Sequence, residues 1–286
     1  MTKENLENCS SNLIAKKFTM IKSSPRIEEF NHSEFFSLLE SCQYKEFQQS
    51  LSKNSMATIL KNSRSTLAFI YQLHNNRKVF FKVYRRIDFK YQLRYLMRQS
   101  RAAKSFDIAE IYLKSKVNTP TPIYAVEKRK FGLLKYSVVV NEVVENLYSC
   151  DELFNELAQH YQDDFFELFL RNSLKIIVKF HDQNLIHGDL KISNLYYKKD
   201  ENLTTGIWDF DGSTIKYQTA TTTKEREIDL CRFVASVCDG LIKRNLKLDV
   251  KYFYNKINFF YNEFYVEKNF NINNQEQTLK KYRKTS

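Results

Sequence analysis

Apolar and polar positions along the chain follow two rhythms, and the change from one to the other divides it. Ala57–Leu60 is a short apolar stretch, and Thr66–Leu73 alternates through Leu67, Phe69, Tyr71 and Leu73. His74-Asn75-Asn76 then turns the chain into Lys78–Tyr84. A period of two predicts half-buried strands, here a three-stranded meander. Tyr91–Lys116 has helical composition and stops before the turn signal Asn118-Thr119-Pro120-Thr121-Pro122. Ile123–Lys130 and Lys135–Val144 predict a hairpin around Phe131-Gly132, and the nearly unbroken apolar run YSVVVNEVV places the second strand inside the sheet. From there the rhythm is helical. Ser149-x-x-Glu152 has the form of a capping box, Asp163–Asp182 carries a broad apolar face through Phe165, Phe166, Phe169, Leu174, Ile177 and Val178, and Ile228–Ile242 repeats the pattern.

Strands first and helices later predict an α+β, two-lobed architecture: an antiparallel sheet with one main helix, then a mostly helical lobe. The expected organisation is an N-terminal extension over 1–55, partly helical around Phe30–Phe47, an N-lobe over 56–146, and a C-lobe over 147–286 with a basic tail ending KKYRKTS. The 286 residues suffice for a substantial core. Five scattered cysteines, with no Cys-x-x-Cys pair, argue against a disulfide framework and for a reducing compartment. No segment approaches the roughly 20 apolar residues needed to span a bilayer.

Charge adds a preference for anionic partners, since the formal net charge is +12. Between Arg77 and Lys104 there are ten Lys or Arg against the single acid Asp88, and between Leu241 and Ser286 ten against four. Such clusters suit nucleic acid, an anionic membrane surface or a phosphorylated substrate; the plain alternative is a solvated face.

The chemistry concentrates in His187–Gly212, HGDLKISNLYYKKDENLTTGIWDFDG. Phosphoryl transfer asks for a carboxylate near the acceptor hydroxyl, oxygen ligands for Mg²⁺ and a cation on the developing charge. Asp189 and Asn194 fit His-x-Asp-Leu-x-x-x-Asn, Lys191 lies inside that loop, and Asp209 follows the short strands Leu195–Tyr197 and Ile207–Phe210. In this scheme Asp189 orients or deprotonates the acceptor, Lys191 neutralises the moving group, and Asn194 and Asp209 hold the metal. The bland reading is a set of ordinary turns, with Gly212 at positive φ. Lys82, inside the apolar strand VFFKVY, needs an anionic partner, and Glu110 on the following helix is the candidate. Glu142–Asn146 would connect the lobes, with backbone groups of Glu142 and Val144 for an adenine edge. Asp229 could bond backbone groups of the catalytic loop or simply favour a helix N-terminus.

Together Lys82, Glu110, the loop His187–Asn194 and Asp209 resemble the protein-kinase-like superfamily. More narrowly, AEIYLKSKVNTPTPIYAVEKR, YSVVVNEVVENL, IHGDLKISN, WDFDGS and KEREIDLCRF resemble the bacterial lipopolysaccharide core kinases, over roughly Ala57–Ala235. Those enzymes phosphorylate heptose or 3-deoxy-manno-octulosonic acid (Kdo) of the inner core, at the cytoplasmic face of the inner membrane of Gram-negative bacteria. The resemblance implies ATP and Mg²⁺ as cofactors, a sugar hydroxyl as acceptor, an anionic glycolipid as substrate and peripheral contact with an anionic membrane surface; no nucleic acid is expected. The chain departs from the wider pattern in having no glycine before Gly132. The phosphate-covering loop is then Lys61–Thr66, where Lys61 or Arg64 would grip phosphate in place of a glycine-rich backbone. Gly188 replaces the arginine of many protein kinases, and Asp211 the glycine of Asp-Phe-Gly. The short stretch from Asp211 to Asp229 has no Ala-Pro-Glu and leaves little room to bind a peptide, so a small hydroxyl is favoured over a protein. Two alternatives are another small-molecule kinase, of the aminoglycoside or choline type, and a nucleotide-binding pseudokinase. The basic balance opposes the first, and the full set Lys82, Asp189, Asn194 and Asp209 opposes the second.

Overall fold

The computed structural model describes residues 19–23, 56–85, 88–215 and 222–265. Their contacts divide into two compact units, one drawn from Met1–Glu110 with Pro120–Val143, the other from Ile111–Thr119 with Val144–Ser286.

The first unit is built on an antiparallel sheet of strands β1 (Thr19–Ser23), β2 (Ala57–Asn62), β3 (Thr66–Gln72), β4 (Lys78–Tyr84), β5 (Pro122–Lys130) and β6 (Leu133–Glu142), in the order β1-β5-β6-β4-β3-β2. The meander and hairpin form as the alternation predicts, and β6, the near-continuous apolar strand, lies between β5 and β4. Strand β1 is an addition: it falls in the stretch read as a partly helical extension, and pairs with β5 from Thr19 opposite Glu127 to Ser23 opposite Tyr124. The helix expected at 30–47 lies outside the described residues.

The period of two sorts the residues by face. Leu67, Phe69, Phe81, Val83, Val138 and Val140 share one apolar cluster. Phe69 and Phe81, directly opposed, stack with centroids 4.8 Å apart, the kind of cross-strand pair that stabilises a sheet by about 0.2–1 kcal/mol. On the other face Tyr84, Ala125 and Val139 meet Ala102 and Phe106 of a helix. The single helix predicted over Tyr91–Lys116 is two, α1 (Phe89–Arg94) and α2 (Arg101–Lys114). Ser100 explains the break: its hydroxyl accepts the Ala103 N–H at 3.2 Å, while its own N–H donates to the buried Glu127 at 3.2 Å. A serine so engaged starts a new helix and does not continue an old one.

The second unit is mainly helical: α3 (Cys150–Gln159), α4 (Asp164–Asp182), α5 (Thr223–Ile242) and α6 (Val250–Phe264). The Ser149 capping box forms in both directions, with Ser149 Oγ accepting from Glu152 N–H and the Glu152 carboxylate from Ser149 N–H. A hydrogen bond from Lys199 and those cap bonds hold the Glu152 carboxyl down at about 2. Helix α5 begins a turn and a half earlier than Ile228, because Thr222 and Glu225 form a second capping box. Helix α4 buries Phe166, Phe169, Leu170, Leu174 and Ile177, where Phe169 meets Tyr197 and Phe233 with centroids 5.2 and 6.3 Å away. Burying one such side chain contributes about 1.5–3 kcal/mol. This core is the platform for the short strands β7 (Leu185–Ile186), β8 (Leu195–Tyr197), β9 (Thr205–Ile207) and β10 (Thr214–Ile215). The three described cysteines are free.

Candidate active site

Helix α4 ends at Asp182 and releases the chain into β7, which pairs with β10, Ile186 opposite Thr214. The loop from His187 to Asn194 follows, closing in a 3₁₀ turn over Ile192–Asn194, and passes straight into the β8–β9 hairpin. Both edges of the loop are therefore fixed by ladders.

Its interior is fixed by a buried carboxylate. Asp229, completely buried in α5, accepts the His187 N–H at 2.7 Å and the Gly188 N–H at 2.9 Å. Of the two readings for Asp229, bonding to the loop is the one observed; the helix starts six residues before it. Seven residues, two turns, further along α5, Ser236 accepts the Ile192 N–H at 2.9 Å. A third link is steric. Gly188 has φ +77°, and a Cβ there would sit 2.4 Å from the Gly212 carbonyl oxygen. The glycine that replaces arginine is thus required by two backbones in close approach. Gly212 does not have positive φ; Asp209 does, at 61°, a conformation that Asp tolerates better than most residues.

Trp208 ties the two halves together. Its N–H donates to the Asn194 carbonyl at 3.0 Å, its indole Nε1–H to the Ser193 carbonyl at 2.8 Å, and its own carbonyl accepts from His187 Nε2 at 3.0 Å. Since a carbonyl only accepts, Nε2 of His187 carries the proton. Phe210 is buried edge-on against Tyr112, with centroids 4.8 Å apart, which anchors the Asp-Phe-Asp-Gly turn from below.

What this frame presents outward is chemistry. The Asp189 carboxylate is half exposed and ion-paired with Lys191 Nζ at 3.1 Å. The Asn194 side chain is buried, and its Nδ2 donates to the Asp189 carbonyl at 2.7 Å, so the amide is oriented with its oxygen end free of that bond. Asp209 is exposed, one residue from the Trp208 link to Asn194. Hard oxygens from one carboxamide and one carboxylate fit Mg²⁺, which commonly takes one or two side-chain ligands and fills its remaining positions with phosphate and water. It needs no all-protein cage, and the described residues contain no group of three His, Cys, Asp or Glu arranged as one.

The other candidates lie in the sheet unit or at its end. Lys82 sits between Ala68 of β3 and Val139 of β6 in register, hence on the face that α2 covers, and its Nζ is 5.4 Å from the Tyr84 ring centroid. Glu110 follows Ala102 and Phe106 at intervals of four along α2, so the helical stripe that meets this face carries it. Glu142 ends β6, ion-paired with Arg77 at 3.0 Å, and its N–H is committed to the Thr121 carbonyl at 2.9 Å; Val144 follows two residues later, half-buried. Lys61 is an exposed strand residue beside the β2 bulge, so the turn proper is Ser63–Ser65, with Arg64 exposed in it. Ser63 closes that turn on Thr66 by bonds of 3.1 Å in both directions. Beneath it Arg85 donates from Nε to the Ser63 carbonyl at 3.2 Å, also reaches the Asn62 side chain, and through its own N–H bonds the Ser65 carbonyl at 3.0 Å.

An antiparallel sheet backed by one helix, then a helical unit that offers such a loop, is the architecture of a protein-kinase-like enzyme. Sequence comparison narrows the class: residues 52–254 match the model of the lipopolysaccharide kinase (Kdo/WaaP) family. The chain belongs to that family, and the family's members are kinases. A comparison with curated proteins finds no match. Among solved structures, WaaP in complex with acyl carrier protein aligns with a TM-score of 0.53 and 11% identity, over 85% of this chain and 99% of that one, a likeness of fold.

Proposed function

We propose that the protein transfers the γ-phosphoryl group of ATP to a sugar hydroxyl, heptose or Kdo, in the inner core of lipopolysaccharide. The observation that carries this reading is the Asp189–Lys191 pair, held outward on a loop whose backbone is tied to a buried carboxylate. Asp189 accepts the hydrogen of the acceptor hydroxyl and aims its oxygen; Lys191, 3.1 Å from Asp189, balances the charge that builds on the phosphoryl oxygens. Asn194 and Asp209 would hold Mg²⁺, which when bound neutralises phosphate charge. Lys82, positioned by Glu110, binds nucleotide phosphates; Lys61 and Arg64 contribute charge at the β2–β3 turn. The Glu142 carbonyl and Val144 backbone read the adenine edge, since the Glu142 N–H is already used. The acceptor is an anionic glycolipid reached from the cytoplasmic face of the inner membrane, with the protein peripheral on that surface. Among the described residues no helix is long and apolar enough to cross a membrane.

The test is transfer of labelled γ-phosphate from ATP to dephosphorylated lipopolysaccharide core, with Mg²⁺, by the native chain and by Asp189→Asn. Transfer by the native chain alone supports the reading. Nucleotide binding without transfer to any hydroxyl acceptor overturns it in favour of a pseudokinase.

A further inference from the structure

Helix α1 and the turn that follows it, 95–98, direct large apolar side chains outward. Tyr91 and Gln92 point inward and are buried, whereas Phe89, Leu93, Leu96 and Met97, at spacings of four, three and one, face out. Met97 is 95% exposed, and Phe131, at the tip of the β5–β6 hairpin, is 90% exposed. Single exposed apolar residues are ordinary, but five large ones on neighbouring elements are not.

The two elements form one surface. A Cβ on Gly132 would lie 3.1 Å from Leu96 Cδ1. The Arg129 guanidinium, paired with Glu127 at 2.7 Å, donates to the carbonyls of Tyr95 at 2.8 Å, Gly132 at 3.1 Å and Arg98 at 3.3 Å. The Arg129 guanidinium therefore bridges the hairpin tip and the segment after α1.

Its rim is predominantly basic. Lys90, Arg94, Arg98 and Lys130 are exposed around it, against two acids already engaged locally, Asp88 as the cap of α1 and Asp107 as the acceptor from Gln99. Lys130 Nζ stands 5.7 Å from the Phe131 ring centroid. Apolar tips interleaved with cations are what an anionic bilayer accepts: the tips enter the acyl boundary while the cations stay among the headgroups. A second copy of the chain fits badly, because a two-fold contact would press one basic rim against another.

We propose that α1 and the β5–β6 tip are a membrane-docking surface that inserts Phe89, Leu93, Leu96, Met97 and Phe131 into an anionic leaflet. This deepens, and rests on, the reading of the substrate as a membrane glycolipid. The test separates the two by using vesicles without lipopolysaccharide. The full chain is floated with phosphatidylethanolamine/phosphatidylglycerol vesicles and with phosphatidylcholine vesicles at low salt, beside Met97→Ser/Phe131→Ser. Both replaced side chains are almost wholly exposed, so the melting temperature should not move.

The native chain should float with the anionic vesicles only, and the double variant should bind them at least about tenfold more weakly, with unchanged transfer to a delipidated, soluble core acceptor. The proposal is overturned if the variant floats like the native chain, if phosphatidylcholine serves equally well, or if the native chain stays unfloated. It is also overturned if sedimentation shows a dimer that the variant dissolves, or if the patch captures an acidic protein and ignores vesicles. Flotation without any phosphoryl transfer would leave the docking surface standing and remove the kinase reading; transfer without flotation would do the reverse.

Discussion

The two turns that the proposed chemistry calls upon are held in opposite ways. In the helical unit the loop His187–Asn194 is fastened from inside, by the completely buried Asp229 on two N–H groups, by Ser236 on a third and by the contact of Gly188 with Gly212. In the sheet unit the Ser63–Ser65 turn is fastened from its half-exposed side by Arg85. An N–H deprived of a buried partner cannot find water and costs its full desolvation, while a carbonyl at a wet turn exchanges one partner for another. The loop is thus an inseparable part of the fold, and the turn is an adjustable part laid on it. A turn without glycine can be set by a side chain from the neighbouring strand end.

The largest expected effect comes from what the frame presents and not from the frame. Asp189→Asn should lower turnover about 10²–10⁴-fold, and because the side chain is half exposed, the melting temperature should hold. Steady-state kinetics beside a thermal melt check both; a variant turning over near the native rate removes Asp189 from its role.

Breaking the frame should instead act on stability. Asp229→Ala leaves the His187 and Gly188 N–H groups buried without an acceptor, and a loss of about 3–5 kcal/mol is expected. Gly188→Ala should be similarly damaging, with a Cβ driven against the Gly212 carbonyl and a left-handed φ. Urea titrations measure each. A fully stable Gly188→Ala chain with native activity would show that the loop yields more readily than its contacts indicate.

The same contrast governs how much was legible beforehand. The meander, the hairpin and the position of β6 inside the sheet follow from alternation, and the candidate residues of the loop His187–Asn194 are picked out by a spacing of carboxylate and carboxamide; both are local signals. The break between α1 and α2 was hidden because its cause is Glu127, 27 positions away from the Ser100 N–H it accepts. Ser236 and Trp208 were missed because a serine in a helix and an indole in a strand-turn have many ordinary uses, and only the fold brings them to the loop. By sequence Gly188 is only a position where many kinases have arginine; its necessity lies in a backbone that sequence order puts 24 residues downstream. Arg85, one residue past the end of β4, carried no motif at all.

Arg85→Ala sharpens the comparison from its weaker side. The turn it supports should loosen without unfolding the sheet, and with about 1 kcal/mol at stake in a partly wet site, nucleotide KM should rise by about fivefold with kcat largely kept. Lysine, which lacks the guanidinium fork that reaches both Asn62 and Ser63, should rescue little. Loss of kcat with unchanged KM would mean that Arg85 serves the reacting groups and not the turn.

The smallest effect concerns the acid side of the frame. His181 in α4 is completely buried, shares a hydrogen bond of 2.9 Å between Nδ1 and the Tyr261 hydroxyl, and holds Nε2 3.5 Å from Asp229 outside hydrogen-bond geometry. Burial lowers its pKa below the ordinary imidazole value, against the pull of Asp229. Between the two values the unfolded chain binds a proton that the folded chain does not, so stability rises with pH there. The contribution is complete above the unfolded value of about 6.5 and is lost as pH falls through it toward the lower folded value. Urea midpoints measured from about pH 7.5 down to about pH 5.5 should therefore decline, and His181→Gln should flatten part of that decline while lowering the whole curve. Equal slopes in the two proteins would assign the acid sensitivity to other groups.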